Sequence, residues 1–234
     1  MMNGRLYGVG VGPGDPELLT LKAARILRRA AVVAYPTGED GGAMALGIAD
    51  PHLAAGVLRL PLPLAFDPQA SNEAAYDGAA AAITAHLEAG RDVAVLCLGD
   101  PFMYGSFLYL FARLAGRVEI EVIPGISSLT ACAALAGRPL AARGDSLVVV
   151  PATRREDDLM RLLFATEAAA IIKVGRHLAK VRRALDRLGL TEQAVCVERA
   201  GLDGQRVVPM NELTEDSVSY FAMILVHRRG RAWS

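Results

Sequence analysis

Short apolar runs that end near glycine alternate with alanine- and leucine-rich segments of helical period, and this alternation limits the chain to few folds. Residues 6–11 are a first predicted strand, and a glycine turn separates them from a predicted helix over residues 16–30. Residues 92–97 and 118–123 are further runs of strand length, each followed by a loop that contains glycine. Strands and helices in alternation are typical of an α/β protein.

The second half of the chain has a different spacing. Residues 195–198 and 205–209 predict two strands joined by a glycine turn, a pattern typical of a hairpin rather than of a strand–helix unit. We therefore predict an α/β protein of two α/β domains, residues 1–123 and residues 124–234.

The charge composition excludes some classes of partner. The 234 residues include 25 basic and 25 acidic side chains, so the net charge is zero and no overall field attracts DNA or RNA. Glycine, aspartate or proline interrupts the apolar runs well before the ~18 residues that a membrane span needs. We expect a cytoplasmic protein that binds neither nucleic acid nor membrane.

The cysteines indicate neither a disulfide framework nor a metal site. Cys97, Cys132 and Cys196 are far apart and lack the spacing of zinc ligands, so buried free thiols and no metal are expected. The four histidines are scattered, and no nucleophile–base or paired-carboxylate signature is found.

Three glycine-bearing loops at the ends of predicted strands are the candidate ligand site, in the segments 8–15 (GVGVGPGD), 98–106 (LGDPFMYGS) and 123–128 (IPGISS). The carboxyl ends of strands in α/β sheets form the ligand crevice. The first loop is not a dinucleotide fingerprint, because Pro13 and Asp15 occupy positions that require glycine, and no Walker lysine follows. Capping of the following helices by Asp15, Asp100, Ser127 and Ser128 is an alternative role.

These three motifs, in this order, resemble those of the tetrapyrrole methylase family, S-adenosylmethionine-dependent enzymes of sirohaem and cobalamin biosynthesis. Residues 170–175 (AIIKVG) and 197–201 (VERAG) are similar to weaker motifs of the family's second domain, so the resemblance covers nearly the whole chain. Within the family, residues 10–27 and 99–114 are most similar to the subgroup that methylates C-20 of precorrin-2 to give precorrin-3A.

The resemblance implies two α/β domains with S-adenosylmethionine in the cleft between them, usually in a homodimer, and a tetrapyrrole, precorrin-2, as substrate. The positions that match the family's cofactor contacts are Pro13, Leu98, Gly99, Asp100, Met103, Tyr104, Gly105, Ser127, Ser128, Val174, Ala200 and Ala222.

The chemistry that the resemblance implies needs no protein nucleophile, because the sulfonium is already activated and the reduced tetrapyrrole supplies a carbon nucleophile. Tyr104 and Asp15 are weak candidates for the group that accepts a proton. Arg138, Arg143 and Arg176 are candidates for binding the substrate's carboxylates, and a role as ordinary surface arginines is the alternative.

Other functions remain open from the sequence. The nearest alternative is methylation of the cobalt-containing counterpart of the same substrate. Methylation at another corrin position, such as C-11 or C-17, is a weaker alternative. A nucleotide-dependent oxidoreductase would require tight NAD(P) binding. A non-catalytic module would bind S-adenosylmethionine without turnover.

Overall fold

The computed structural model describes residues 4–37, 42–64 and 73–230. The chain divides into two compact units, residues 1–127 and 128–234. The predicted domain boundary follows Ile123. The observed division falls after Ser127 because Gly125 packs against Gly10 and Gly99 of the first unit.

The first unit is built on a fully parallel sheet of five strands in the order β3-β2-β4-β1-β5. The strands are β1 (Leu6–Gly10), β2 (Val32–Pro36), β3 (Leu58–Leu62), β4 (Val93–Cys97) and β5 (Ile120–Ile123). The helices are α1 (Leu21–Leu27), α2 (Gly42–Ala49), α3 (Glu73–Glu88) and α4 (Phe107–Leu114), with short 3-10 helices at Pro16–Leu18 and Asp50–His52.

The sheet of the first unit is buried on both faces, which explains why β4 is apolar at every position. Val93 and Val95 belong to a core that includes Phe107 of α4, whereas Ala94 and Leu96 belong to a second core on the opposite face. Parallel strands covered on both faces require such continuous apolar runs.

One local prediction for the first unit was wrong, and one helix was not predicted. The helix predicted over residues 16–30 is interrupted, because Asp15 caps the 3-10 helix and Thr20 caps α1 separately. Helix α2 follows a polar, glycine-rich stretch and was not predicted. Prolines interrupt residues 62–70 and predict a loop there. Most of that segment lies outside the described residues, since residues 65–70 are not among them.

The second unit contains a mixed sheet in the order β6-β7-β10-β8-β9. Its strands are β6 (Leu147–Pro151), β7 (Ala168–Ile172), β8 (Ala194–Glu198), β9 (Arg206–Pro209) and β10 (Ala222–His227). Its helices are α5 (Ser128–Leu135), α6 (Glu156–Phe164) and α7 (Leu178–Arg187), with 3-10 helices at Gly175–His177 and Thr191–Gln193. The predicted hairpin is confirmed as β8 and β9, which pair antiparallel.

Strand β10 defines two ends of this sheet. At the "Ala222 end" β7 and β8 finish and β10 begins, since Ala222 pairs with Glu198. At the "His227 end" β7 and β8 begin and β10 finishes, since His227 pairs with Ala168.

Within the ranges that the structure describes, no helix has both the length and the apolar character needed to cross a membrane.

Candidate functional site

The three glycine-bearing loops of the first unit lie side by side at one edge of its sheet. Strand β1 lies between β4 and β5 and is parallel to both, so the loops that follow these strands leave the sheet in the same direction. Gly12 and Gly99 join two of the loops: the Gly99 N–H donates to Gly12 O at 2.7 Å, and the Gly12 N–H donates to Gly99 O at 3.3 Å.

The loops approach so closely that backbone packs directly on backbone. A Cβ on Gly10 would lie 2.5 Å from the Gly125 nitrogen, and one on Gly125 would lie 2.0 Å from Gly99 O. Neither distance is possible for a side chain, so glycine is required at both positions. The result is an edge where a ligand can reach main-chain groups without side chains in the way.

Asp100 ties the second loop to the third. Its Oδ1 accepts the Phe102 N–H at 2.9 Å, and its Oδ2 accepts the Gly125 N–H at 3.0 Å. The alternative predicted role of Asp100 is to cap the next helix. Helix α4 begins only at Phe107, with Ser106 at its N-cap, so Asp100 holds loops together instead.

The second loop also exposes aromatic surface. Phe102 and Tyr104 are 46% and 45% exposed, and Phe102 packs edge-on against Phe111 with ring centroids 5.1 Å apart. Tyr104 has a φ of 56°, a left-handed conformation that costs energy in a residue with a side chain. Leu98 and Met103 are half-buried on the same loop.

The remaining predicted residues of the first unit lie on the first and third loops. Pro13 is buried, and Asp15 Oδ1 accepts the Glu17 N–H at 2.8 Å, so its carboxylate serves as a helix cap. Ser127 is half-buried at the end of the third loop. Ser128, which is exposed, begins α5 and belongs to the second unit.

The predicted residues Val174, Ala200 and Ala222 lie together at the Ala222 end of the second sheet. All three are buried. Hydrogen bonds connect their segments: Arg199 N–H donates to Phe221 O at 3.1 Å, and Val218 N–H donates to Gly175 O at 3.5 Å.

The residues that precede Val174 and Ala200 are conformationally strained. Lys173 and Arg199 have φ values of 56° and 50°. Non-glycine residues in this conformation persist only where the surrounding structure enforces them, and they are frequent at ligand sites.

The three predicted arginines do not lie together. Arg176 is exposed in the 3-10 helix at the Ala222 end. Arg138 donates from Nη1 to Gln193 O at 3.1 Å, and Arg143 lies in the turn that leads to Asp145, both at the His227 end.

The sequence interpretation missed Glu198, the last residue of β8. This carboxylate is buried; its Oε1 accepts from Arg206 at 2.5 Å and its Oε2 accepts the Ser219 N–H at 2.7 Å. It therefore fixes the segment that leads into Ala222. The signal available was an acidic residue at the end of an otherwise apolar strand.

A comparison with protein-family models matches residues 5–214 to the Tetrapyrrole (Corrin/Porphyrin) Methylases. The chain belongs to this family.

Two curated methylases are similar along nearly their whole length. A precorrin-2 C(20)-methyltransferase from Sinorhizobium sp. is 45% identical over 95% of each chain. A cobalt-precorrin-2 C(20)-methyltransferase from Salmonella typhimurium is 34% identical over 97% of this chain and 98% of that protein.

A solved structure supports the same assignment. The uroporphyrin-III C-methyltransferase from Thermus thermophilus, complexed with S-adenosyl homocysteine, matches with a TM-score of 0.69 and 28% identity over 99% of this chain and 95% of that one.

The cysteines of this family member are unsuited to nucleophilic catalysis. All three are free and buried, and burial raises the pKa of Cys132 and of Cys196 to about 12. Because the reactive form is the thiolate, these groups are inert near neutral pH. In the described part of the chain, no three His, Cys, Asp or Glu side chains are grouped as metal ligands.

Proposed function

We propose that this protein transfers a methyl group from S-adenosylmethionine to C-20 of precorrin-2, giving precorrin-3A in cobalamin biosynthesis. The observation that carries the proposal is the end-to-end similarity to a precorrin-2 C(20)-methyltransferase. The joined glycine loops give it a physical basis, since they form a backbone-lined edge at the carboxyl ends of parallel strands.

The residues of the chain fit a cofactor with an amino-acid end and a nucleoside end. Leu98, Gly99 and Asp100 would hold the amino-acid or ribose portion, with Pro13 nearby. Met103, Tyr104 and Gly105 would continue this wall, beside Ser127 and Ser128. Val174, Ala200 and Ala222 would bind adenine through backbone groups, which agrees with the burial of their side chains.

When bound, S-adenosylmethionine supplies a methyl group on a positively charged sulfur, already activated for transfer. The protein then has to orient donor and acceptor in line and exclude water. Asp100 fixes the relative position of the second and third loops, and Phe102 and Tyr104 offer apolar surface beside them. Tyr104 remains the better candidate proton acceptor, because the Asp15 carboxylate already caps a helix.

Arg176 is the arginine best placed to bind a substrate carboxylate. It is exposed and adjoins Val174 at the Ala222 end of the second sheet. Arg138 and Arg143 remain predictions, and their position at the His227 end weakens the case for them.

A second candidate substrate is the cobalt complex of precorrin-2. It is favoured by the similarity to the Salmonella typhimurium enzyme, which is lower in identity than that to the Sinorhizobium enzyme. We therefore rank the metal-free substrate first.

We also propose a cytoplasmic homodimer. Leu108 and Tyr109 expose 40% and 55% of their surface on α4, and such apolar surface suits a contact between copies. Three free thiols are typical of a reducing compartment. Light scattering on the purified protein, and on a Tyr109→Lys variant expected to be monomeric, tests the dimer.

The deciding experiment is single-turnover transfer of a labelled methyl group to metal-free precorrin-2 and to its cobalt complex, with the product located by carbon NMR. We expect label at C-20 of the metal-free substrate. Label only on the cobalt complex would select the second candidate. Cofactor binding without transfer to either would exclude both.

A further inference from the structure

The second unit contains a pocket at the His227 end of its sheet that the proposed methyl transfer does not use. The pocket has a volume of about 300 Å³. Residues 136–140, which follow α5, form one wall. Gln193, the end of β10 and Gly230 form the rest. The residues proposed to bind the cofactor in this unit lie at the Ala222 end, so the pocket is a separate feature.

The pocket lining includes a cation, Arg138, that forms no ion pair within the described residues. Arg138 donates from Nη1 to Gln193 O at 3.1 Å, and no described carboxylate pairs with its guanidinium group. The two acids beside the lining are engaged elsewhere, since Asp145 accepts two bonds from Arg229 and Glu192 accepts from Asn211. The remaining guanidinium N–H groups can therefore bind an anion, preferably a carboxylate.

Next to this cation lies an acceptor that lacks a donor. Gln193 Oε1 is buried and has no hydrogen-bond partner within the part of the chain that the structure describes. A buried, unpaired oxygen costs free energy. Gln193 is one of the lining residues, so a small turn of its side chain would bring this oxygen to a donor group of a bound molecule.

His227, the third polar residue of the lining, cannot supply that donor. Its Nδ1 accepts the Arg229 N–H at 3.3 Å, so the proton is on Nε2, which donates to Asp145 at 3.1 Å. Both ring nitrogens are occupied, and the ring can offer only carbon edges to the pocket.

The other walls are apolar. Pro139, Leu140 and Leu225 line the pocket with hydrocarbon surface. A volume of about 300 Å³ is at the lower limit for small-molecule sites. It exceeds what a lone anion or water needs, and it suits a molecule with a charged end and a short apolar body.

We propose that this pocket binds an α-amino acid with an apolar side chain. Its carboxylate would pair with Arg138, its ammonium group would donate to Gln193 Oε1, and its side chain would contact Leu140 and Leu225. The site is separate from the cofactor contacts and from Arg176, the arginine ranked first for the substrate, and its existence does not depend on methyl transfer.

Calorimetric titration of the full-length protein with L-leucine tests the proposal. S-adenosylhomocysteine at saturation is included in a parallel titration, to block any binding of leucine where the cofactor's own amino-acid portion would lie. We expect saturable binding of one L-leucine per chain with the same affinity in both titrations. Absence of saturable binding, or its loss in the presence of S-adenosylhomocysteine, overturns the proposal.

Two analogues test the recognition chemistry. 4-Methylpentanoate lacks the ammonium donor, and L-leucinamide lacks the carboxylate. Each should bind at least about tenfold more weakly than L-leucine, because each leaves one buried polar group unpaired. Equal binding of either analogue contradicts the assigned contact.

Matched variants locate the site. Arg138→Ala and Gln193→Leu should each weaken L-leucine binding at least about tenfold, whereas Arg143→Ala, at the same end of the sheet but outside the lining, should leave it unchanged. Circular dichroism and S-adenosylhomocysteine affinity establish that each variant is folded. If Arg138→Ala misfolds, Arg138→Lys retains the charge without the planar fork and should still lower the affinity. Folded Arg138 and Gln193 variants with undiminished L-leucine binding exclude this pocket.

Discussion

Asp100 combines two roles at the scale of a single residue. Its two carboxylate oxygens accept the N–H groups of Phe102 and Gly125, and the same residue is proposed to face the cofactor. Substitution therefore has an effect on stability and an effect on binding, which separate experiments can measure.

Asp100→Ala should lower the free energy of unfolding by ~1–3 kcal/mol, because two backbone donors lose their partner. The protein should still fold, with its affinity for S-adenosylhomocysteine reduced at least about tenfold. Denaturant unfolding and calorimetry measure the two effects. Asp100→Asn retains one acceptor oxygen and should lose less stability. An unchanged cofactor affinity in the alanine variant would contradict the placement of this loop.

Gly125 is constrained by contact rather than by its own conformation. Gly125→Ala would bring a methyl group to 2.0 Å from Gly99 O, and the loops would have to separate. We expect a loss of at least about 2 kcal/mol in unfolding free energy and much weaker cofactor binding.

Gly78→Ala is the matched control for that substitution. Gly78 lies on an exposed face of α3, with nothing within 4 Å of the added methyl group, so this change should stabilise the protein by ~0.5–1 kcal/mol. Similar stability changes in the two variants would show that the loop contact is unimportant.

At the scale of the element, the spacing of apolar residues predicted those strands and helices whose own sequence shows a clear period. Helix α2 was missed because its sequence, GAMALGIA, follows glycines and shows no polar face. Ala45, Ile48 and Ala49 are buried in one core of the first unit, so tertiary packing stabilises this helix.

Like the secondary structure, the candidate site could be predicted from the sequence only in part. That three loops would share an edge followed from parallel strands. The contacts among Gly10, Gly99 and Gly125 depend on strand order and register, which no local pattern encodes. Glu198 was missed for the same reason, since its partners Arg206 and Ser219 come from other segments.

The turn before β6 is fastened to the end of β10 by a buried carboxylate. Asp145, whose side chain is only 5% exposed, accepts the Ala142 N–H, a bond from His227 and two from Arg229. The Ala142 N–H, followed by His227 and the Arg229 charge, holds the pKa of Asp145 below its ordinary 3.8.

This arrangement predicts an acid-sensitive stability. A carboxylate whose pKa is lowered by folding stabilises the native state above its unfolded pKa, and that contribution is lost as the pH falls through the lowered value. The difference in unfolding free energy between the native sequence and Asp145→Asn should be constant near neutral pH and shrink as the pH falls below about 3.8. Denaturant titrations across this range measure it. Asp203→Asn, at an exposed position, should show little difference at any pH. A difference for Asp145→Asn that persists at the lowest pH would contradict this account.

At the scale of the whole molecule, each unit has its own apolar core and its own set of proposed cofactor contacts. The proposed contacts of the first unit lie on loops that follow a parallel sheet, and those of the second lie at the Ala222 end of a mixed sheet. The net charge of zero provides no general attraction for an anionic substrate, so binding has to come from groups at particular positions.

Hydrogen exchange with and without S-adenosylhomocysteine tests whether both units bind the cofactor. At a ligand concentration of about 100 times Kd, binding adds ~2.7 kcal/mol of stability, so amides that exchange only from a state unable to bind should slow by about 100-fold. We expect this protection in residues 98–105 and 124–127 of the first unit and in residues 173–176 and 199–201 of the second, with little change in residues 138–145. At the same ligand concentration, the Asp100→Ala variant should show this protection reduced by a similar factor in both units, because one molecule produces both effects. Protection confined to the first unit would remove Val174, Ala200 and Ala222 from the proposed site while leaving the loops of the first unit in place.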